Sequence, residues 1–178
     1  PDTYLPLNIF EPRYLKMIDQ AISNENRLIG MIQPKNTDDS DDNFSLYKIG
    51  CAGKIIKFEE TEDNRYLITL KGLSRFNLIS ERKNDKNFRE ANINWVNFSK
   101  DLSLKEKTSD FSSLKTTLKK YFKLKNIKAN MDAIDTFNDY NFADQITMIC
   151  PLENNEKQLL LETSSLVKRK NLLLTLLD

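Results

Sequence analysis

The stretch Leu5-Pro6-Leu7-Asn8-Ile9-Phe10-Glu11-Pro12-Arg13-Tyr14 decides how the chain begins to fold. Pro12 fits the first turn of a helix, where its missing N–H costs nothing. Behind it Tyr14, Met17, Ile18, Ala21 and Ile22 recur at helical spacing. The pattern predicts an amphipathic helix of about three turns. Glu11 stands at the positive end of that helix, Phe10 and Tyr14 are placed to pack it against strands, and Arg13 is expected to meet a carboxylate or strand-end carbonyls. Phe10 to Tyr14 therefore read first as a fold determinant and second as a ligand site.

Downstream the period changes to two. Residues 28–33, 46–58, 65–70, 74–81 and 91–98 alternate or form short apolar runs, which predicts strands, and the glycines at 30, 50, 53 and 72 fall among them. Sequential strands with little helix between them imply an antiparallel or mixed sheet closing into a small barrel. From about Ser103 the spacing is helical. Leu114, Leu118, Tyr121 and Phe122 form one stripe, and Ala143, Ile146, Thr147 and Ile149 another. Pro151 breaks the chain, and residues 156–177 are expected as the longest helix, with leucine-rich pairs every seven residues and Lys170 inside the stripe. About three heptads with a lysine in the seam favour packing onto the chain's own helices over a coiled-coil dimer. The linker at 99–103 sets the expected boundary, with a barrel lobe at 1–102 and a helical lobe at 103–178.

Composition excludes more than it assigns. Lys plus Arg 27 against Asp plus Glu 26 gives a net charge of +1, which names no partner. The absence of histidine removes the usual general base and metal ligand, and with it Ser-His-Asp and Cys-His catalysis. Cys51 and Cys150 are too far apart in sequence for a CxxC pair or zinc spacing, and are expected as two buried thiols. No run approaches the roughly 18 apolar residues of a membrane helix, and the first residues resemble no signal or transit peptide, so a cytoplasmic protein is expected.

Few motifs carry chemistry. Gly50-Cys51-Ala52-Gly53-Lys54 has the wrong spacing for a phosphate-binding loop and reads as a bulge or sharp bend in a strand. The acidic tract Asp38-Asp39-Ser40-Asp41-Asp42 lacks the Gly and Glu of an EF-hand, and reads as a solvated hairpin loop rather than a metal site. Lys115, Lys119, Lys120 and Lys123, with Lys125 and Lys128 beyond them, form a stripe able to neutralise phosphates. Lysine lacks the bidentate fork of arginine and no aromatic platforms interleave, so a solvated helix face is the simpler reading. Spacing does not decide whether Trp95 is a core residue or a binding anchor, and core is the simpler reading.

The opening stretch resembles the opening motif of the Lon protease N-terminal domain, also called the Lon substrate-binding domain. The resemblance continues through Leu28-Ile29-Gly30, Ile49-Gly50-Cys51-Ala52-Gly53-Lys54-Ile55, Tyr66-Leu67-Ile68, Lys71-Gly72-Leu73-Ser74-Arg75-Phe76 and Met148-Ile149-Cys150-Pro151, where the chain looks like the small stand-alone bacterial members. It implies an α+β protein: a PUA-like β-barrel with an early helix, followed by a C-terminal α-helical bundle. It also implies a non-enzymatic module without cofactor or metal that captures unfolded or extended polypeptide or acts as an adaptor for a protease or chaperone. In Lon the ATPase and peptidase belong to later domains, and no GxxxxGK[ST] motif is present here. Family members carry an apolar strand just before the position of Tyr4. Without it a sheet edge would be open to an extended peptide. Phe44, Tyr47 and Trp95, aromatics near loop ends or on a strand, are the candidate contacts. The alternative, by analogy to PUA domains, is an RNA-binding module using Lys115, Lys119, Lys120 and Lys123.

Overall fold

The computed structural model describes residues 1–35, 45–103, 110–128, 130, 134–137, 141–163 and 165–178. The chain divides into two compact units, Pro1–Ser103 and Leu104–Asp178, strands dominating the first and helices the second.

In the first unit β1 (Tyr4–Ile9), α1 (Pro12–Ile22), β2 (Leu28–Met31), β3 (Ile49–Glu60), β4 (Tyr66–Lys83) and β5 (Arg89–Asn94) are followed by a 3-10 helix at Val96–Leu102. The sheet runs β1-β4-β3-β2, with β5 also on β4, and every pairing is antiparallel. β1 and β5 share one side of β4: β1 pairs with Tyr66 to Lys71, and β5 with Asn77 to Lys83.

Three strand expectations need correction. The segments 65–70 and 74–81 are one strand, because the ladder steps from Ala52↔Ser74 to Gly53↔Gly72 and leaves Leu73 as a bulge. β4 therefore carries the bulge without ending, opposite the glycine-rich stretch of β3, whereas the sequence places the bulge or bend in β3 itself. Second, residues 91–98 do not form one strand. β5 stops at Asn94, whose side chain accepts the Val96 N–H at 2.7 Å and turns the chain into the 3-10 helix. Third, β1 is a strand that the pattern reading leaves unassigned. Leu5, Leu7 and Ile9 alternate inward there, but Pro6 obscures the signal. Two further bulges turn Ile56 and Ile79 out of register, and both are exposed, at 42% and 62%.

α1 forms where expected and lies on the sheet through Ile18 and Ala21, packed with Ile29, Ile55, Ile68 and Leu70. Burial of a side chain such as Ile18 contributes about 1.5–3 kcal/mol. Tyr66 Oη donates to Asp19 Oδ1 at 2.9 Å, tying the exposed side of α1 to the start of β4.

The second unit contains α2 (Ser112–Leu124), α3 (Phe142–Ile149), α4 (Asn154–Glu162) and α5 (Leu166–Leu177). Its core joins Leu114, Leu118 and Phe122 to Phe142, Ile146, Leu160 and Leu173. The single helix expected at 156–177 is two helices. Thr163 leaves the helix in an extended conformation with its hydroxyl on Leu159 O, and Ser165 caps α5 by accepting the Lys168 N–H. Such hydroxyls compete with the helical ladder, so the seven-residue repeat is not carried by one continuous helix. The buried cation of α5 is Arg169, which pairs with Asp144 and donates to Thr163 O, whereas Lys170 lies at the surface and reaches Asp110 O at 3.1 Å.

Candidate functional site

The outer edges of the sheet differ in chemistry. In an antiparallel ladder alternate residues bond to the partner strand, and the others turn their N–H and C=O outward. On β2 the Ile55 N–H donates to Arg27 O at 2.9 Å, so Arg27, Ile29 and Met31 face β3 and Leu28 and Gly30 face out. Past the strand Gln33 O accepts from Tyr47 N–H and Lys35 N–H donates to Ser45 O, which again leaves the intervening Pro34 outward. The same reasoning on β1, anchored by Gly72 N–H on Thr3 O, turns Tyr4, Pro6 and Asn8 outward. Pro6 removes the central donor of that edge. β5 is guarded by charge: Arg89 bonds Glu81 at 2.9 Å and Arg82 bonds Glu90 at 2.8 Å. Among the described residues β2 is the outer strand with neither charge nor proline in it, and Leu28, Gly30 and Met31 are exposed.

A ring supports this strand from β4. Phe76 is buried, and its Cζ lies 3.4 Å from where a Cβ on Gly30 would stand and 2.5 Å from where one on Gly50 would stand. Gly50 is needed for that close approach, since a Cβ there would also stand 2.6 Å from Met31 O, whereas one on Gly30 would make an ordinary van der Waals contact. Trp95 packs edge-on against Phe76, with centroids 6.1 Å apart.

Behind the ring, Asp101 holds the 3-10 helix to β4. Its carboxylate accepts from Arg75 Nε at 2.8 Å, Nη2 at 2.7 Å and the Arg75 backbone N–H at 3.0 Å, while the guanidinium lies 4.6 Å from the centre of the Phe98 ring. Asp101 thereby fills the part of the β4 edge between β1 and β5. Burial would raise its pKa, but the hydrogen bonds and charge of Arg75 hold it below the usual carboxylate value. Neither residue was singled out by sequence reasoning. Two ion-pair partners 26 positions apart leave no local signal.

The sequence candidates are scattered. Trp95 is half-buried beside Phe76, and Tyr47 is half-buried on the continuation of the β2–β3 pair. Phe44 and the acidic tract at 38–42 lie outside the described residues. In the opening motif Pro12 begins α1, Arg13 pairs with Glu11 at 3.0 Å and sits over the Tyr14 ring, and Glu11 is the N-cap without a side-chain cap bond. Phe10 is 64% exposed, contrary to its expected packing, because it follows the last residue of β1 and precedes the helix cap. Cys150 is buried, its thiol pushed up to about 11 by desolvation, but Cys51, on β3, is only half-buried, contrary to its expected burial. On α2, Lys115 and Lys119 converge on Asp135 at 3.8 and 3.7 Å, and Lys115 Nζ also lies over the Phe142 ring; Lys120 and Lys123 are exposed. Half of the expected phosphate stripe is thus matched to an internal carboxylate. Among the described residues no helix is long and apolar enough to cross a membrane.

A family model described as the ATP-dependent protease La (LON) substrate-binding domain matches residues 1–178. The chain is 26% identical over 184 residues to Lon protease of Cytophaga hutchinsonii, covering 100% of this chain and 22% of that protein. It is 23% identical over 185 residues to Lon protease of Buchnera aphidicola, covering 100% and 23%. It therefore spans less than a quarter of the length of these curated relatives. Among solved structures, the N-terminal domain of the Mycobacterium avium complex Lon protease superposes with a TM-score of 0.67 at 15% identity, covering 99% of this chain and 90% of that one. A Lon N-terminal domain protein from Xanthomonas campestris superposes with 0.64 at 18%, covering 98% and 90%. These likenesses establish a shared fold.

Proposed function

The chain belongs to the Lon protease substrate-binding domain family, and from that premise we propose that it is a non-catalytic module that captures extended or unfolded polypeptide, for delivery to a protease or as an adaptor. The observation that carries this reading is the edge of β2, uncharged and unpaired among the described residues, which offers backbone hydrogen bonds beside exposed apolar side chains. Tyr47 and Trp95 remain the aromatic contacts of the proposal, together with Leu28 and Met31. Apolar burial supplies affinity, and the edge selects for extended backbone over folded surfaces.

The test is the anisotropy of a labelled, permanently unfolded polypeptide titrated with the protein at two salt concentrations, with single-stranded RNA as competitor. Saturable, salt-tolerant binding that RNA does not displace supports the reading. RNA binding that collapses with salt, with no binding of the polypeptide, overturns it and returns attention to Lys120 and Lys123. Within that assay Trp95→Ala is expected to weaken binding while the near-UV spectrum of the folded protein persists; loss of that spectrum makes Trp95 a core residue instead.

A further inference from the structure

Resting on the polypeptide-binding reading, we propose that the bound segment adds as a strand to β2, bonds through the outward N–H and C=O of Leu28 and Gly30, and seats a large apolar side chain against Gly30. The backbone defines the occupant. Gly30 is exposed, and its amide and carbonyl face away from β3, because the ladder bonds fall on Arg27, Ile29 and Met31. A segment satisfying these groups must be extended, and it must present an N–H at alternate positions.

The side-chain preference follows from Gly30. A guest residue directly opposite shares its face of the sheet, and there Gly30 offers bare backbone beside the Phe76 ring. Edge glycines of this kind are covered well by an aromatic cross-strand neighbour. Leu28 exposes an apolar side chain on the same face, two positions away, so a second apolar guest residue is accommodated. Pro34 sets the limit. It stands outward without an N–H, so the usable edge is about six residues, from Leu28 to Gln33.

The experiment uses seven-residue peptides of alternating Thr and Val with Phe or Ala at the centre, each also made with a single N-methyl group at successive amides. Binding to the full chain is expected to fall at least tenfold when alternate amides are methylated, and less than threefold at those between them. Phe at the centre is expected to bind about tenfold better than Ala, and Gly30→Ala, which keeps the outward amide, is expected to shrink that preference at least threefold. Leu28→Lys, an exposed position, is a second variant that weakens all peptides while the circular dichroism spectrum is unchanged. A flat N-methyl profile, a Phe preference untouched by Gly30→Ala, or peptides that fail to bind while the unfolded polypeptide does, overturns strand addition at this edge. Failure of the polypeptide itself to bind strikes the functional reading instead.

Discussion

β2 and β5 are outer strands of one sheet, yet they are finished in opposite ways. β5 is laced to β4 by Arg89 with Glu81 and Arg82 with Glu90, whereas β2 carries Leu28, Ile29, Gly30 and Met31 with no charge at all. A sheet needs its edges blunted to stay monomeric, and charge is the commonest device. The difference teaches that exposure of backbone at an edge is managed locally. The same fold protects one edge with ion pairs, another with Pro6, and a stretch of the β4 edge with a carboxylate from a 3-10 helix, while the β2 edge has none of these.

The largest expected effect comes from the carboxylate. Asp101→Ala leaves the buried Arg75 guanidinium without its bidentate partner and uncovers its backbone N–H, which is expected to lower stability by about 3–5 kcal/mol. Denaturant unfolding followed through Trp95, the single tryptophan and a neighbour of Phe76, measures it in the first unit. A loss below about 1 kcal/mol would show that the edge between β1 and β5 needs no such cover. The pH dependence has a fixed sign. Asp101 is held below its ordinary pKa of about 3.9, so its contribution is present above that value and is lost as pH falls through the lowered folded-state pKa. In Asp101→Asn that part of the acid transition is expected to vanish.

The two glycines next to Phe76 sharpen the contrast between interior and edge. Gly50→Ala puts a methyl 2.5 Å from Phe76 Cζ and 2.6 Å from Met31 O, and the second contact is backbone of the adjoining strand. About 1–3 kcal/mol of destabilisation is expected, with β2 displaced. Gly30→Ala meets the ring at 3.4 Å and faces solvent on its other side, so its stability is expected to change by less than about 1 kcal/mol. Thermal midpoints of the two variants make the comparison directly, and equal losses would mean that β2 is packed as tightly as β3.

The sequence was informative where one signal acts over a few residues. Pro12 followed by a helical stripe located α1, because a prolyl ring acts on its own backbone, whereas the glycine-rich stretch located only the level of a bulge whose extra residue, Leu73, lies on the partner strand β4. It was silent where distant groups decide. Asp101 sits in a segment that reads as linker and becomes fixed only through Arg75, and Arg169 finds its partner in Asp144, 25 positions away. The edge of β2 was half legible. Its apolar run was visible, but which amides turn outward depends on the register with β3, and the alternation of Leu5, Leu7 and Ile9 in β1 is masked by Pro6 between them.

The smallest effect on stability is expected at β5, where it tests whether charge really separates the two edges. Arg89 and Glu81 are each about a third exposed, so replacing Arg89 by Val is expected to change stability by less than about 1 kcal/mol. Its consequence should appear in association. Arg89 lies outward on β5, because the Asn84 N–H bonds Phe88 O and the next pairs alternate from there. With Arg89→Val and Glu90→Thr together, that edge comes to resemble β2: uncharged, β-prone and open. Sedimentation at rising protein concentration is then expected to show more self-association than in the unaltered chain, and binding of the alternating Thr-Val peptides is expected to rise. If the doubly substituted chain associates no more than the unaltered one and gains no peptide binding, the absence of charge is not what distinguishes β2, and the side chains of Leu28 and Met31, rather than its open backbone, must be what sets it apart.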